Sequence, residues 1–133
     1  MDIVFFGTNA ASFQSGLSDL LDLPHRITCI SDAPDAGERA ILNAADVVVG
    51  VQFHKPLTAH RARLFQLPAA GYDQVDFDAL PAHCAICNAF GHERAIAEYV
   101  MAALLARHVP LGLADRQLRA GAWNFWAGAG PTA

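Results

Sequence analysis

The sequence has little cysteine, little basic charge and no long apolar run, and each shortage narrows what the chain can be. Three cysteines among 133 residues, Cys29, Cys84 and Cys87, are too few and odd in number for a disulfide scaffold, and no charged-then-apolar leader precedes the first strand-like run. The expected compartment is the cytoplasm. Nine Lys and Arg against 13 Asp and Glu leave a net charge of −4, which gives no basic footprint for a nucleic-acid backbone or an anionic membrane surface. No apolar run reaches bilayer-spanning length, so neither nucleic acid nor membrane is an expected partner. What remains is 53% hydrophobic and 17% charged, which excludes disorder. One core at this length buries about two-thirds of the unfolded surface and needs no metal or disulfide to hold it.

Motifs are also scarce. There is no HExxH, no Cys/His set of zinc-ligand spacing, no GxSxG and no Walker A sequence. The six histidines, His25, His54, His60, His83, His92 and His108, are scattered, and no metal site is expected. Gly128-Ala129-Gly130 follows no strand and runs into Pro131, so it cannot be the phosphate turn of a dinucleotide fold. Cys84-Ala85-Ile86-Cys87 has the spacing of a redox or half-zinc motif. It lies in a strand-like run, where positions three apart point to opposite faces, and the expectation is buried strand cysteines.

Five continuous apolar bursts of strand length recur, at residues 3–6, 27–30, 47–51, 64–67 and 84–87. Continuous rather than alternating bursts are expected of strands covered on both faces. Helical character lies between them: residues 11–21 carry Phe13, Leu17, Leu20 and Leu21 on one stripe, and residues 37–45 carry Ala40, Ile41 and Ala44. Residues 58–63 can supply one more helix, capped by Thr58, and Asp76 or Asp78 can cap a short turn ending at Pro81. The alternation predicts an α/β, flavodoxin-like three-layer domain with a five-stranded parallel sheet and ligands at the carboxyl ends of its strands. Beyond Asn88 the character changes: residues 92–108 read as a long helix, apolar almost all round, which must be covered on most sides. Pro110 stops it, a second helix spans residues 113–120, and Gly121 caps that helix. The expected division is 1–91 for the domain, 92–121 for the helices and 122–133 for a tail with Trp123 and Trp126.

In a parallel sheet the loops after strands three, four and five share one edge. They carry Val51-Gln52-Phe53-His54-Lys55, then Ala70-Gly71-Tyr72-Asp73, then Asn88 with Gly91. The glycines permit close backbone approach to a small ligand and Asn88 offers an amide. The turn Gly7-Thr8-Asn9-Ala10 after the first strand can hold an anion, though an ordinary strand-to-helix turn explains it equally well. A phospho-acceptor domain would need paired acids here and has Thr8-Asn9 instead. Flavin binding, with Tyr72 or Phe53 against the ring, is a thinner alternative.

The stretch from Leu64 through Gly71-Tyr72-Asp73-Gln74-Val75-Asp76, then Ile86-Cys87-Asn88-Ala89-Phe90-Gly91, then Ala95-Ile96-Ala97-Glu98, and finally Arg119-Ala120-Gly121-Ala122-Trp123, resembles the D-2-hydroxyacid dehydrogenase family. Those motifs are the family's G-x-D-x-[IV]-D turn, its strand ending in Asn, its A-[VI]-A-E helix and its R-x-G-x-W helix end. The resemblance covers about residues 1–123 and implies the substrate-binding half of an NAD- or NADP-dependent enzyme that transfers hydride to or from a small 2-keto or 2-hydroxy acid. It assigns the substrate carboxylate to Val51, Gln52, Phe53 and His54, to Ala70-Gly71 and to Asn88, largely through backbone N–H. It implies a homodimer through residues 96–105. The family's cofactor fingerprint and its catalytic Arg, Glu and His fall beyond residue 133, so no catalytic residue is assigned here and the isolated chain is expected to be inactive and to bind no cofactor. Gln52-Phe53-His54 departs from the Arg or Ser that many relatives carry there, which leaves the acid unspecified. The alternative is a stand-alone, non-catalytic flavodoxin-like module whose role is to dimerise.

Overall fold

The computed structural model describes residues 1–123; the Gly128-Ala129-Gly130 and Trp126 readings lie outside them. Two units are distinguished, Met1–Phe90 and a second beginning at Gly91. In the first, strands β1 (Asp2–Phe6), β2 (Arg26–Ile30), β3 (Val47–Gly50), β4 (Leu64–Gln66) and β5 (Ala85–Cys87) form an all-parallel sheet in the order β2-β1-β3-β4-β5. Short helices α1 (Thr8–Ala11) and α2 (Leu17–Leu20) follow β1, and α3 (Ala36–Ala44) follows β2. This is the expected α/β architecture.

Side-chain alternation along β1 divides the core into two layers. Val4 and Phe6 face the larger cluster with Leu42, Val48, Phe53 and Phe65, while Ile3 and Phe5 join Ala10 and Val49 on the opposite face. Phe53 links Phe6 and Phe65 edge to face, with ring centroids 6.3 and 5.5 Å apart, so a residue from the loop after β3 is a keystone of the larger layer. Helix α3 opens with a full capping box: Asp35 accepts from the Glu38 N–H at 2.8 Å, and Glu38 accepts from the Asp35 N–H.

Three expectations of local structure are corrected. The single helix expected over residues 11–21 does not form: α1 ends at Ala11, residues 12–16 are non-helical, and only Leu17–Leu20 of the stripe is helical, preceded by Gly16 with φ of +77°. Residues 58–63 are not helical: the Thr58 hydroxyl donates to Asn43 Oδ1 at 2.7 Å and the Arg63 N–H to the Asp46 carbonyl. A six-residue stretch is too short to sustain a helix against such anchors. The cysteines are not buried. Cys29 and Cys87 are exposed and Cys84 is half-buried, since β2 and β5 are the two sheet edges and Ala85, Ile86 and Cys87 are all exposed. Partial burial pushes the Cys84 thiol pKa up.

The turn capped by Asp76 is present as a 3₁₀ turn over Phe77–Ala79. In the second unit, α4 (Glu93–His108) and α5 (Leu111–Arg119) meet at 52° across Val109-Pro110, where proline removes an N–H. Gly121, φ +79°, closes α5 in a Schellman motif, with the Ala122 N–H on the Gln117 carbonyl and the Gly121 N–H on that of Leu118. Neither helix has a buried residue. No single helix among the described residues is long and apolar enough to cross a membrane.

Candidate functional site

The site is built at the carboxyl ends of β4 and β5. Parallel pairing of Gln66 with Cys87 brings the two following loops side by side, and the ladder continues past the strands as the Leu67 N–H donates to the Cys87 carbonyl at 2.8 Å and the Ala89 N–H to that of Ala69 at 3.1 Å. Asn88 completes the tie: its Nδ2 donates to the Ala70 carbonyl at 2.8 Å. That bond consumes the carbonyl side of the Ala70-Gly71 turn and leaves the N–H side free, since neither the Ala70 nor the Gly71 N–H donates to another described residue. A Cβ built on Gly71 meets only Asp73 Oδ2, at 3.8 Å, so the turn can be approached closely.

Beside it opens an apolar cavity of about 370 Å³ lined by Leu67, Tyr72, Phe77, Ile86 and Asn88. The Tyr72 and Phe77 rings lie 6.0 Å apart and each is about half exposed. A turn with two unpaired N–H groups beside an apolar wall suits a small carboxylate with a short hydrocarbon part. What this wall offers a ligand is hydrogen bonding and apolar contact.

The loop after β3 is placed differently. Phe53 is fully buried, its N–H donates to the Gln74 carbonyl at 2.9 Å, and its own carbonyl accepts from Asp76 at 2.8 Å. Its backbone and ring are thus committed to the fold, which leaves neither a free N–H for a carboxylate nor a ring face for a flavin. Gln52 and His54 line a separate cavity of about 250 Å³ near the end of β1, while Val51 is half-buried beside them. The structure therefore brings Ala70, Gly71 and Asn88 together and sets Gln52 and His54 at a second opening. Sequence reasoning did not assign Phe77 to the wall of the first, although its spacing from Tyr72 across one tight turn carries that signal.

The turn after β1 does not fit a dinucleotide phosphate. The Asp32 carboxylate accepts from the Thr8 N–H at 3.2 Å and from Thr8 Oγ1 at 2.7 Å, and Asp32 Oδ1 would clash with a Cβ on Gly7. These bonds hold the Asp32 pKa below the usual carboxylate range, so a negative charge already fills the cradle that a pyrophosphate would need. Among the described residues no three His, Cys, Asp or Glu side chains converge as metal ligands.

No protein-family model matches the sequence, and no curated protein matches it. Solved structures do resemble the fold. The pyruvate reductase of Chlamydomonas reinhardtii superposes with a TM-score of 0.57 at 20% identity over 99% of this chain and 42% of its own length. A phosphoglycerate oxidoreductase from Vibrio cholerae O395 superposes with a TM-score of 0.50 at 19% identity over 96% of this chain and 44% of its own. The chain thus spans less than half the length of either. At these identities the likeness establishes a shared fold: residues 1–123 are built as an α/β part of two oxidoreductases is built.

Proposed function

We propose that this chain is the substrate-binding part of a D-2-hydroxyacid dehydrogenase, in which the Ala70-Gly71 turn holds the carboxylate of a small 2-keto or 2-hydroxy acid. The observation that carries the reading is the Asn88 Nδ2 bond to the Ala70 carbonyl, which ties down the turn while its N–H groups donate to no described residue. Hydrogen bonds to a charged carboxylate contribute about 1.5–3 kcal/mol each, enough for a weak, oriented complex. The fold shared with a pyruvate reductase and a phosphoglycerate oxidoreductase supports the assignment. Hydride transfer would draw on NAD or NADP, and in this reading the chain contributes the binding of the acid. Gln52 and His54 line a separate opening and are left out of this carboxylate site, and Phe53 serves by holding their loop in place.

A homodimer through residues 96–105 belongs to the proposal. Ile96, Val100, Met101, Leu104 and Leu105 are each between 46 and 55% exposed in the chain by itself, a continuous apolar surface that demands a cover. The test combines light scattering with titrations of pyruvate and of NADH. A dimer that binds pyruvate, ignores NADH and loses pyruvate on Gly71→Val supports the reading. A monomer that binds NADH, or any NADH-dependent turnover by the 133-residue chain, overturns it.

A further inference from the structure

The apolar wall beside the Ala70-Gly71 turn is larger than a carboxylate bearing one methyl group can use. Ile86 on β5 and Asn88 just beyond it are two residues apart, a spacing that sets both side chains on one face, and both line the same cavity. The amide that ties down the turn and the first apolar side chain of the wall therefore meet one opening. Leu67 at the end of β4, Tyr72 next to Gly71 and Phe77 from the 3₁₀ turn complete the lining. With centroids 6.0 Å apart and planes at 35°, the Tyr72 and Phe77 rings touch each other instead of parting to clamp a third ring, so they make one continuous surface. Tyr72, Phe77 and Ile86 stay 54, 49 and 38% exposed, which leaves apolar area for a ligand to cover. The cavity of about 370 Å³ falls within the range of about 300–1,000 Å³ found for sites that enclose molecules far larger than pyruvate. None of the described lining residues carries a charge, so a second carboxylate or a phosphate on the acid would enter without a counter-ion.

We propose that the wall of Tyr72, Phe77 and Ile86 selects the side chain of the acid, that the preferred ligand is a 2-keto or 2-hydroxy acid with an aromatic or branched apolar side chain of benzyl or isobutyl size, and that Phe77 is the specificity-determining residue. The inference rests on the reading that the Ala70-Gly71 turn holds the carboxylate, and it names the chemistry at the other end of the acid. Phe77 is singled out by its freedom: Leu67 is fully buried in the larger core layer and Asn88 holds the turn, whereas the Phe77 side chain belongs to neither core layer. In an apolar pocket a single methylene changes selectivity by about 10–200-fold, so a half-exposed wall suffices to separate a benzyl or isobutyl group from a methyl.

The test is a titration of the full chain with pyruvate, 4-methyl-2-oxopentanoate, phenylpyruvate and oxaloacetate, followed by NMR on the backbone amides and on the methyl groups of Leu67 and Ile86. Phenylpyruvate and 4-methyl-2-oxopentanoate are expected to bind about tenfold or more tighter than pyruvate, and oxaloacetate more weakly than pyruvate. Phenylpyruvate should also give a ring-current shift of the Ile86 methyls that the aliphatic acids do not. Phe77→Ala should bring the ratio of the pyruvate to the phenylpyruvate dissociation constant below about threefold, and Phe77→Leu should retain most of it. If Phe77→Ala loses its amide dispersion, the Ile86 methyl shift in the unaltered chain decides. Shifts of the Ala70 and Gly71 amides with all four acids at equal affinity, or Ile86 methyls unmoved by saturating phenylpyruvate, overturn the selectivity and leave the carboxylate reading standing. Ala70 and Gly71 amides that respond to none of the acids overturn both.

Discussion

Residues 1–90 and residues 91–123 are both rich in apolar side chains, yet the first stretch holds every core residue and the second holds none. The difference lies in partners rather than in composition. Val4, Val48 and Phe65 sit on neighbouring parallel strands whose register sets them opposite one another. Ile96 to Leu105 run around a helix that holds no buried residue. An apolar pattern therefore specifies that a surface will be covered, and only topology specifies by what.

The largest expected effect tests the first half of that contrast. Phe65→Ala removes a fully buried ring from the larger layer and is expected to destabilise the first unit by about 3–5 kcal/mol in urea unfolding. Leu104→Ala, on α4, is expected to change the same transition by less than about 0.5 kcal/mol. Equal losses at the two positions would break the comparison. Leu104→Asp sharpens it: the monomer fold is retained, and self-association measured by sedimentation weakens by about tenfold or more.

Asn88→Ala comes next. Loss of the bond to the Ala70 carbonyl is expected to cost about 1 kcal/mol of stability and, by loosening the turn, about tenfold in pyruvate affinity, read by calorimetry. Gly71→Val should lose the affinity with little loss of stability, which separates binding from folding.

The smallest effect is the pH dependence. The backbone N–H of Asp2 bonded to Asp46, the Thr8 bonds to Asp32 and the Arg26 guanidinium on Asp2 each hold a carboxyl pKa below its usual value. A carboxyl whose folded pKa is depressed stabilises the fold above its unfolded pKa and loses that contribution as pH falls through the folded value. The urea midpoint should be flat from neutrality down to about pH 4 and decline below it. Asp46→Asn should reduce the decline, and a midpoint that rises on acidification would contradict the assignment.

All five strands were legible because their apolar bursts coincide with the strands within a residue or so, as Val47–Gly50 and Arg26–Ile30 illustrate. Gly121 was legible because a C-terminal glycine after a helix has a single dominant use. The burst at β5 was misleading: Ile86 reads like Val48, and nothing local tells an edge strand from a central one. The short helices after β1 were hidden because the stripe of Phe13 and Leu17 runs on across the break between Ala11 and Leu17, where Gly16 takes φ of +77°. At the candidate site, the meeting of the Ala70-Gly71 turn with Asn88 at one sheet edge was readable from the parallel strand order, while their proposed role came from the resemblance alone. The burial of Phe53 was not, because its pairing with Val75 is a contact between two loops distant in sequence.

The central claim is that the Ala70-Gly71 turn, held by Asn88, receives a 2-keto acid carboxylate. A ¹⁵N-resolved titration with pyruvate at constant ionic strength tests it most directly. The account predicts saturable shifts at the Ala70 and Gly71 amides and at the Asn88 side-chain amide, abolished by Gly71→Val. Amides that stay in place while the rest of the spectrum is intact would contradict it.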